Sequence, residues 1–250
     1  MFTFNADLMS FRFLYRGLRA RFRDERAETG FLIENTRPGD TVIDCGANKG
    51  SYLWALSRAV GKSGMVVAFE PQPKLARYLV SQTGCGRFSN VTVVQKALSD
   101  RNGKATLFVP GGGISPGASL EKSVADRSEF DSYEVELTTL DSYTEGLKEQ
   151  ISAIKIDVDG HELSVLKGAE NVLKEMAPAL VVECEQRHLQ NCSVWDVLEW
   201  VMAMGYEGWF VSRGQRQPLS GFDLQIHQPQ GSGQYWNEKS YCNNFLFRKT

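Results

Sequence analysis

The chain has 250 residues, 42% of them hydrophobic and 23% charged, with a net charge of −2. That composition is ordinary for a globular domain with a substantial core. It argues against a general nucleic-acid binder, which needs a basic balance or a long basic face. No apolar run reaches the roughly 18 residues of a membrane span, and the first 30 residues lack the apolar centre of a secretory signal. Five cysteines, Cys45, Cys85, Cys184, Cys192 and Cys242, are odd in number and form no CxxC pair. Reduced thiols in a cytoplasmic setting are therefore expected, with no disulfide framework and no metal site.

Residues 1–30 read as an amphipathic helical extension before a single domain over 31–250. Arg12, Arg16, Arg19, Arg23 and Arg26 form one stripe at helical spacing, and Phe11, Leu14, Leu18 and Phe22 form another. A helix packed on the domain with its arginines in water is the simpler reading. Contact with an anionic membrane surface or an acidic partner is the alternative.

Short β-branched runs then alternate with helical patterns. Thr41–Cys45, Met65–Phe69, Val91–Val94, Ala153–Val158 and Ala179–Cys184 read as strands. Ser51–Val60, Lys74–Ser81, Glu162–Met176 and Ser193–Met204 read as helices, the last opened by a Ser193/Asp196 capping box. This rhythm predicts an α/β fold with a mostly parallel sheet. Two stretches break it. Lys104–Val109 and Glu134–Thr138 look like strands flanking a Gly/Ser/Pro-rich excursion, which at that length implies function or disorder. Gln217–Asn237 carries His227, Tyr235 and Trp236, and Asn244–Arg248 reads as a last strand.

The chemistry concentrates at two strand ends. Asp44-Cys-Gly46-Ala-Asn48-Lys-Gly50 joins a strand to a helix, and Glu70 closes the next strand. Glycines there admit a ligand against the backbone, and a carboxylate at the second strand end can accept from two ribose hydroxyls. A dinucleotide fingerprint would be G-x-G-x-x-G, with pyrophosphate resting on the helix. Here the turn is G-x-x-x-G behind an acid, which repels pyrophosphate and suits a ligand with an ammonium group, directly or through water. S-adenosylmethionine has that group and no phosphate. Further on, Lys155-Ile-Asp157-Val-Asp159-Gly-His161-Glu162 gathers acids, a lysine and a histidine at another strand end. Asp157, just inside an apolar strand, needs a partner if buried. Asp159 and Glu162 could equally cap the following helix.

The ordered set IDCGANKGSY, VVAFEPQP, TTLDSY, IKIDVDGHELSVLKGAE and VVECE, with the terminal NNFLF, resembles the FkbM-type methyltransferases. The resemblance implies a Rossmann-like class I methyltransferase fold with a seven-stranded sheet and helices on both faces. It implies S-adenosyl-L-methionine as methyl donor and O-methylation of a carbohydrate or other polyhydroxylated natural product. By that resemblance Asp44, Gly46, Asn48 and Gly50 line the methionine end, and Glu70 with the adjoining Pro71 lies at the ribose. Ala97, Leu98 and Ser99 bound the adenine, and Asp157 faces the sulfonium. Asp159 departs from the family's more common Glu, and neither the N-terminal helix nor Gln217–Asn237 matches clearly.

A hydroxyl acceptor benefits from a base. His161, Asp157, Glu183 and Glu185 are the candidates, with His161 preferred for its pKa near working pH. Asp157, Asp159, Glu183 and Glu185 could also suit Mg²⁺, but ordinary strand-end acids are the better reading. Two other functions stay open: an NAD-type oxidoreductase and a non-catalytic cofactor-binding module. Nucleic-acid methylation lacks its Asn/Asp-Pro-Pro-aromatic run, so the expected partner is a small molecule, with no nucleic acid. Homo-oligomerisation is left open. Trp209, Tyr235 and Trp236 could stack on a sugar or belong to the core.

Overall fold

The structure, a computed structural model, describes residues 3–84, 86, 88–111, 115, 117–120, 130–147, 149–230, 238 and 240–249. Five apolar segments form the parallel body of the sheet: β1 (Thr41–Cys45), β2 (Met65–Phe69), β3 (Val91–Val94), β7 (Ile151–Ile156) and β8 (Ala179–Glu183). β9 (Tyr206–Ser212), β10 (Gln215–Pro218) and β11 (Asn244–Lys249) complete it with antiparallel pairings. The order is β10-β9-β11-β8-β7-β1-β2-β3. The six strands read from the sequence are all there; β9, which that reading missed, brings the sheet to the seven implied by the resemblance, and its hairpin partner β10 adds an eighth at the edge.

Both faces of the central strands are buried, which is why β1 reads as an unbroken apolar run apart from Thr41 and Asp44. Side chains alternate between two cores. Ile43, Val67, Ile154 and Val182 join one with α6 (Glu162–Lys167), α7 (Glu170–Glu175) and α8 (Val194–Ala203). Val42, Val66, Ala153 and Val181 join the other, with Phe13 of α1 (Thr3–Arg19), Phe31 and Leu32 of α2 (Arg26–Glu34), Leu53 and Leu56 of α3 (Leu53–Val60) and Leu79 of α4 (Pro73–Thr83). A five-residue π-helical stretch, Ala20–Asp24, joins α1 to α2. α2 runs through residue 30, so the extension and the domain share one core.

The helix expected over Glu162–Met176 is two helices. Asp141, in α5 (Leu140–Thr144), accepts from the Asn171 and Val172 amides and so caps α7 from outside, while its own amide donates to Gly168 O. The capping box on α8 is present, with Ser193 and Asp196 bonding reciprocally.

The two strands of the first off-rhythm stretch pair with each other. β5 (Gly103–Pro110) and β6 (Phe130–Thr138) form an antiparallel hairpin, and β4 (Ala97–Leu98) adds to β6. This small sheet has its own core of Ala97, Leu107, Val109, Val135 and Leu137. It is inserted between β3 and β7, where the chain returns across β2 and β1. β1 therefore has β2 on one side and β7 on the other, reached by opposite crossovers. That is the switch point at which open α/β sheets hold ligands beyond their carboxyl strand ends.

Glu162, at the start of α6, is 1% exposed. One carboxyl oxygen accepts from Gly160 N at 2.9 Å, and the other has no hydrogen-bond partner among the described residues. Burial raises its pKa to about 8. A carboxyl whose pKa is higher folded than unfolded stabilises fully below its unfolded value and loses that contribution as pH rises through the folded value. Chemical denaturation of the cofactor-free protein between pH 4.5 and 8 should therefore show stability falling, with Glu162 contributing on the order of 1 kcal/mol per pH unit. Glu162→Gln should flatten that slope. An unchanged slope would place Glu162 in water.

Candidate active site

After Cys45 the chain turns sharply: Gly46 (φ 77°), Asn48 (φ 48°) and Gly50 (φ 77°) all adopt left-handed conformations. Asn tolerates this better than most residues, and Gly46 has no alternative, because a Cβ there would lie 1.9 Å from Asp157 O. The turn thus closes directly onto the exit of β7. Gly46 N and Ala47 N both donate to Phe69 O, tying the turn to β2.

Glu70 completes the tie. Its carboxylate accepts from Asn48 N and from Gln72 N, each at 2.8 Å. Burial pushes its pKa up to about 7 despite those two amides. Gln72 then reaches outward. Its side-chain amide donates to Ser115 O at 3.0 Å and accepts from Ser115 N at 3.3 Å. That two-bond clamp holds the end of the β5–β6 excursion over the strand ends, and Ser119 Oγ adds a bond to Asp159 O at 2.7 Å.

These elements enclose a cleft open to solvent. Phe69, Leu98, Leu107 and Ala118 give it apolar lining, and Gly46, Asn48, Glu70 and Asp157 give it polar lining. Pro71, Ala97 and His161 also line it. Three other residues singled out from the sequence do not. Gly50 faces Phe13 of α1. Ser99 is buried and bonds His161 Nε2 through its hydroxyl at 2.9 Å. Asp44 lies beneath the turn, 1% exposed, and neither of its oxygens has a hydrogen-bond partner among the described residues.

Asp44 reaches the site through Lys155. The buried ammonium lies 3.5 Å from Asp44 Oδ1, 2.9 Å from Asp157 Oδ2 and 3.0 Å from Gly46 O. Burial alone would lower the lysine pKa. The Asp157 and Asp44 carboxylates outweigh it and raise the value, so Lys155 is a fixed cation. Burial raises Asp44 in turn, Lys155 only partly offsetting it. Asp157 is left with 35% of its side chain exposed, facing the cleft.

Beside Asp157, and outside the residues that line the cleft, stands a densely polar wall. Asn243 Nδ2 donates to Glu183 at 2.8 Å and to Glu185 at 3.3 Å. Tyr241 OH donates to Glu185 at 2.9 Å, and Arg187 grips the same carboxylate with two bonds. His188 Nδ1 lies 3.0 Å from Asp159 Oδ1. The acids weighed as magnesium ligands are thus engaged with Lys155, His188, Asn243 and Arg187, and among the described residues no three metal-binding side chains converge. From the other side, the Tyr52 hydroxyl donates to Glu25, whose pKa burial raises. The N-terminal segment therefore contributes a carboxyl to the charge cluster around Lys155. Trp209 does not face this wall; it packs on Phe31 with Arg248 over its ring. Tyr235 and Trp236 lie outside the described residues.

Residues 44–208 match the methyltransferase FkbM domain. The chain belongs to the FkbM methyltransferase family. Its fold is the α/β fold anticipated from the motifs. The structure is similar to the methyltransferase FkbM from Methylobacillus flagellatus KT, with a TM-score of 0.53 and 16% identity, covering 96% of this chain and 54% of that one. It is also similar to SMU.1697c from Streptococcus mutans, solved in complex with SAH, with a TM-score of 0.50 and 11% identity over 91% of this chain and 98% of that one. At the sequence level, 52 residues are 36% identical to the tRNA (adenine(57)-N(1)/adenine(58)-N(1))-methyltransferase TrmI of Methanocaldococcus jannaschii, 20% of this chain and 18% of that protein. The FkbM chain thus spans about half of the Methylobacillus protein and a small part of the archaeal one.

The cleft's lining fits S-adenosylmethionine: its apolar residues suit a purine, Glu70 suits vicinal hydroxyls, and Asp157 suits a cation. Against NAD, two carboxylates line the cleft, and its one lining lysine, Lys96, is paired with Glu136 at 3.0 Å.

The Gln72 clamp was not legible in the sequence, although Gln72 stands in the EPQP run. Its removal has a definite expected effect. Gln72→Ala should speed dissociation of labelled S-adenosylhomocysteine about tenfold, the value of one or two net hydrogen bonds, with the association rate little changed. Equal dissociation rates would mean that Ser115 does not hold the cleft closed.

Proposed function

We propose that this methyltransferase acts on a hydroxyl oxygen of a polyhydroxylated small molecule, a carbohydrate or related natural product. The observation that carries this reading is Asp157, a carboxylate anchored by Lys155 whose side chain is 35% exposed toward the cleft and so can accept from a hydroxyl. Glu70 and Asp157, the carboxylates that line the cleft, oppose a phosphate backbone, which speaks against a tRNA acceptor.

Bound in the cleft, the cofactor supplies an electrophilic methyl group on a sulfonium. The chain's part is to align the acceptor, exclude water and take a proton. Positioning accounts for much of such a rate. We assign the proton to Asp157 rather than His161. Asp157 lies at the methionine end, with one oxygen anchored by Lys155 and the side chain open to the cleft. His161 is bonded to Ser99, beside the adenine-bounding segment. Glu70 and the Gly46–Gly50 turn hold the cofactor. The buried free thiols Cys45, Cys184 and Cys242 fit a reducing, cytoplasmic workplace.

The test is incubation of the purified protein with methyl-labelled S-adenosylmethionine and a panel of sugars and polyols, with tRNA beside them. Label in a sugar and none in tRNA is expected. Label in tRNA alone would reject the reading. Calorimetric binding of NAD but not S-adenosylhomocysteine would restore the oxidoreductase alternative.

A further inference from the structure

The N-terminal helix presents a different face inward from the one its hydrophobic spacing suggests. Phe13, Gly17 and Ala20 are buried, whereas Phe11, Tyr15 and Phe22 are 65%, 55% and 63% exposed. Gly17 sets this choice, because a Cβ there would lie 2.5 Å from Trp54 Cβ. The helix therefore lies flat on α3, held also by Arg16 Nη1, which donates to Lys49 O at 2.9 Å. What remains outside is an aromatic face studded with arginines.

Residues 11–23 contain five arginines and no acid, in a chain whose net charge is −2. Arg12, Arg19 and Arg23 are exposed. Asp24 is the acid that the described structure pairs with Arg19 and Arg23. Phe11 stacks on Tyr15, Phe22 leans on Trp54, and Arg21 lies over the Phe22 ring. Large apolar side chains exposed together on one convex face mark an interaction surface.

We propose that this face, the outer side of α1 and of the Ala20–Asp24 stretch, docks on the surface of an anionic lipid bilayer. Arginines supply attraction to lipid phosphates and carboxylates, and the three aromatic side chains enter the headgroup boundary, which is how interfacial helices bind. Charge complementarity selects an anionic partner. The ring arrangement selects lipid over single-stranded nucleic acid: base stacking needs free ring faces, and here one face of Phe11 meets Tyr15 and one face of Phe22 is covered by Arg21.

The test uses the full chain with vesicles of phosphatidylcholine, with and without phosphatidylserine. Sedimentation with the phosphatidylserine vesicles is expected, with release at high salt and a blue shift of tryptophan emission from Trp54 under Phe22. The pair Phe11→Ser with Phe22→Ser, and separately Arg12→Glu with Arg19→Glu, should each lower the partition coefficient about tenfold or more. Unchanged binding of S-adenosylhomocysteine by both double variants shows that they are folded. Failure to sediment, equal sedimentation with phosphatidylcholine alone, capture of an RNA oligonucleotide instead, or a dimer that the same substitutions abolish would each overturn the proposal.

Discussion

Asp157→Asn should lower the methyl-transfer rate constant about 10³-fold, within the 10²–10⁴ range for removal of a positioned base, while S-adenosylhomocysteine affinity falls much less. The substitution keeps the shape and still offers Lys155 an amide oxygen, so the buried ammonium keeps its bonds to Gly46 O and to residue 157. What is lost is a proton acceptor at the cleft. His161→Ala is the control. It removes a residue bonded to Ser99 and should act on cofactor affinity more than on the chemical step. Single-turnover rates and cofactor titrations on both variants decide the matter. If His161→Ala abolishes the chemical step while Asp157→Asn retains it, the two assignments must be exchanged.

Glu70→Ala should weaken S-adenosylhomocysteine binding by a factor of about 10² or more, since hydrogen bonds to a charged acceptor contribute about 1.5–3 kcal/mol each. Part of that loss comes from the turn itself, because Glu70 also accepts from Asn48 N. The pH dependence separates the two. Burial places the Glu70 pKa at about 7 in the cofactor-free protein, and ribose hydroxyls donate best to the ionised form. Affinity should therefore rise with pH up to about 7 and level off above it, changing by up to about tenfold per pH unit on the acid side. Glu70→Gln should bind weakly with no such dependence. A wild-type curve that is flat between pH 5.5 and 8 would show that Glu70 does not meet the ribose as a titrating group.

Much of this site was readable in the sequence because it is local. The strand Thr41–Cys45, the turn Gly46–Gly50 and the acid Glu70 belong to one βαβ unit, so composition and spacing report their geometry directly. The alternation of strands and helices implied the parallel sheet for the same reason. Hydrophobic spacing could not decide which side of α1 turns inward. It counted Phe11, Leu14, Leu18 and Phe22 as the buried stripe, whereas close approach to Trp54 admits a helix only on its glycine side. Nor could it show that Asp44 lies buried beneath the turn, with Lys155 between it and Asp157.

Residues close along the chain set the fold class, the cofactor type and the strand ends that border the cleft. Packing between distant segments sets how charge is distributed there. Lys155 meets Gly46 O across 109 residues and stands between Asp44 and Asp157, His161 meets Ser99 across 62, and Gln72 meets Ser115 across 43. Such partners share no local pattern. They are brought together by the packing of β1 against β7 and by the β5–β6 insertion, and a buried charge takes whatever counter-charge that packing leaves beside it.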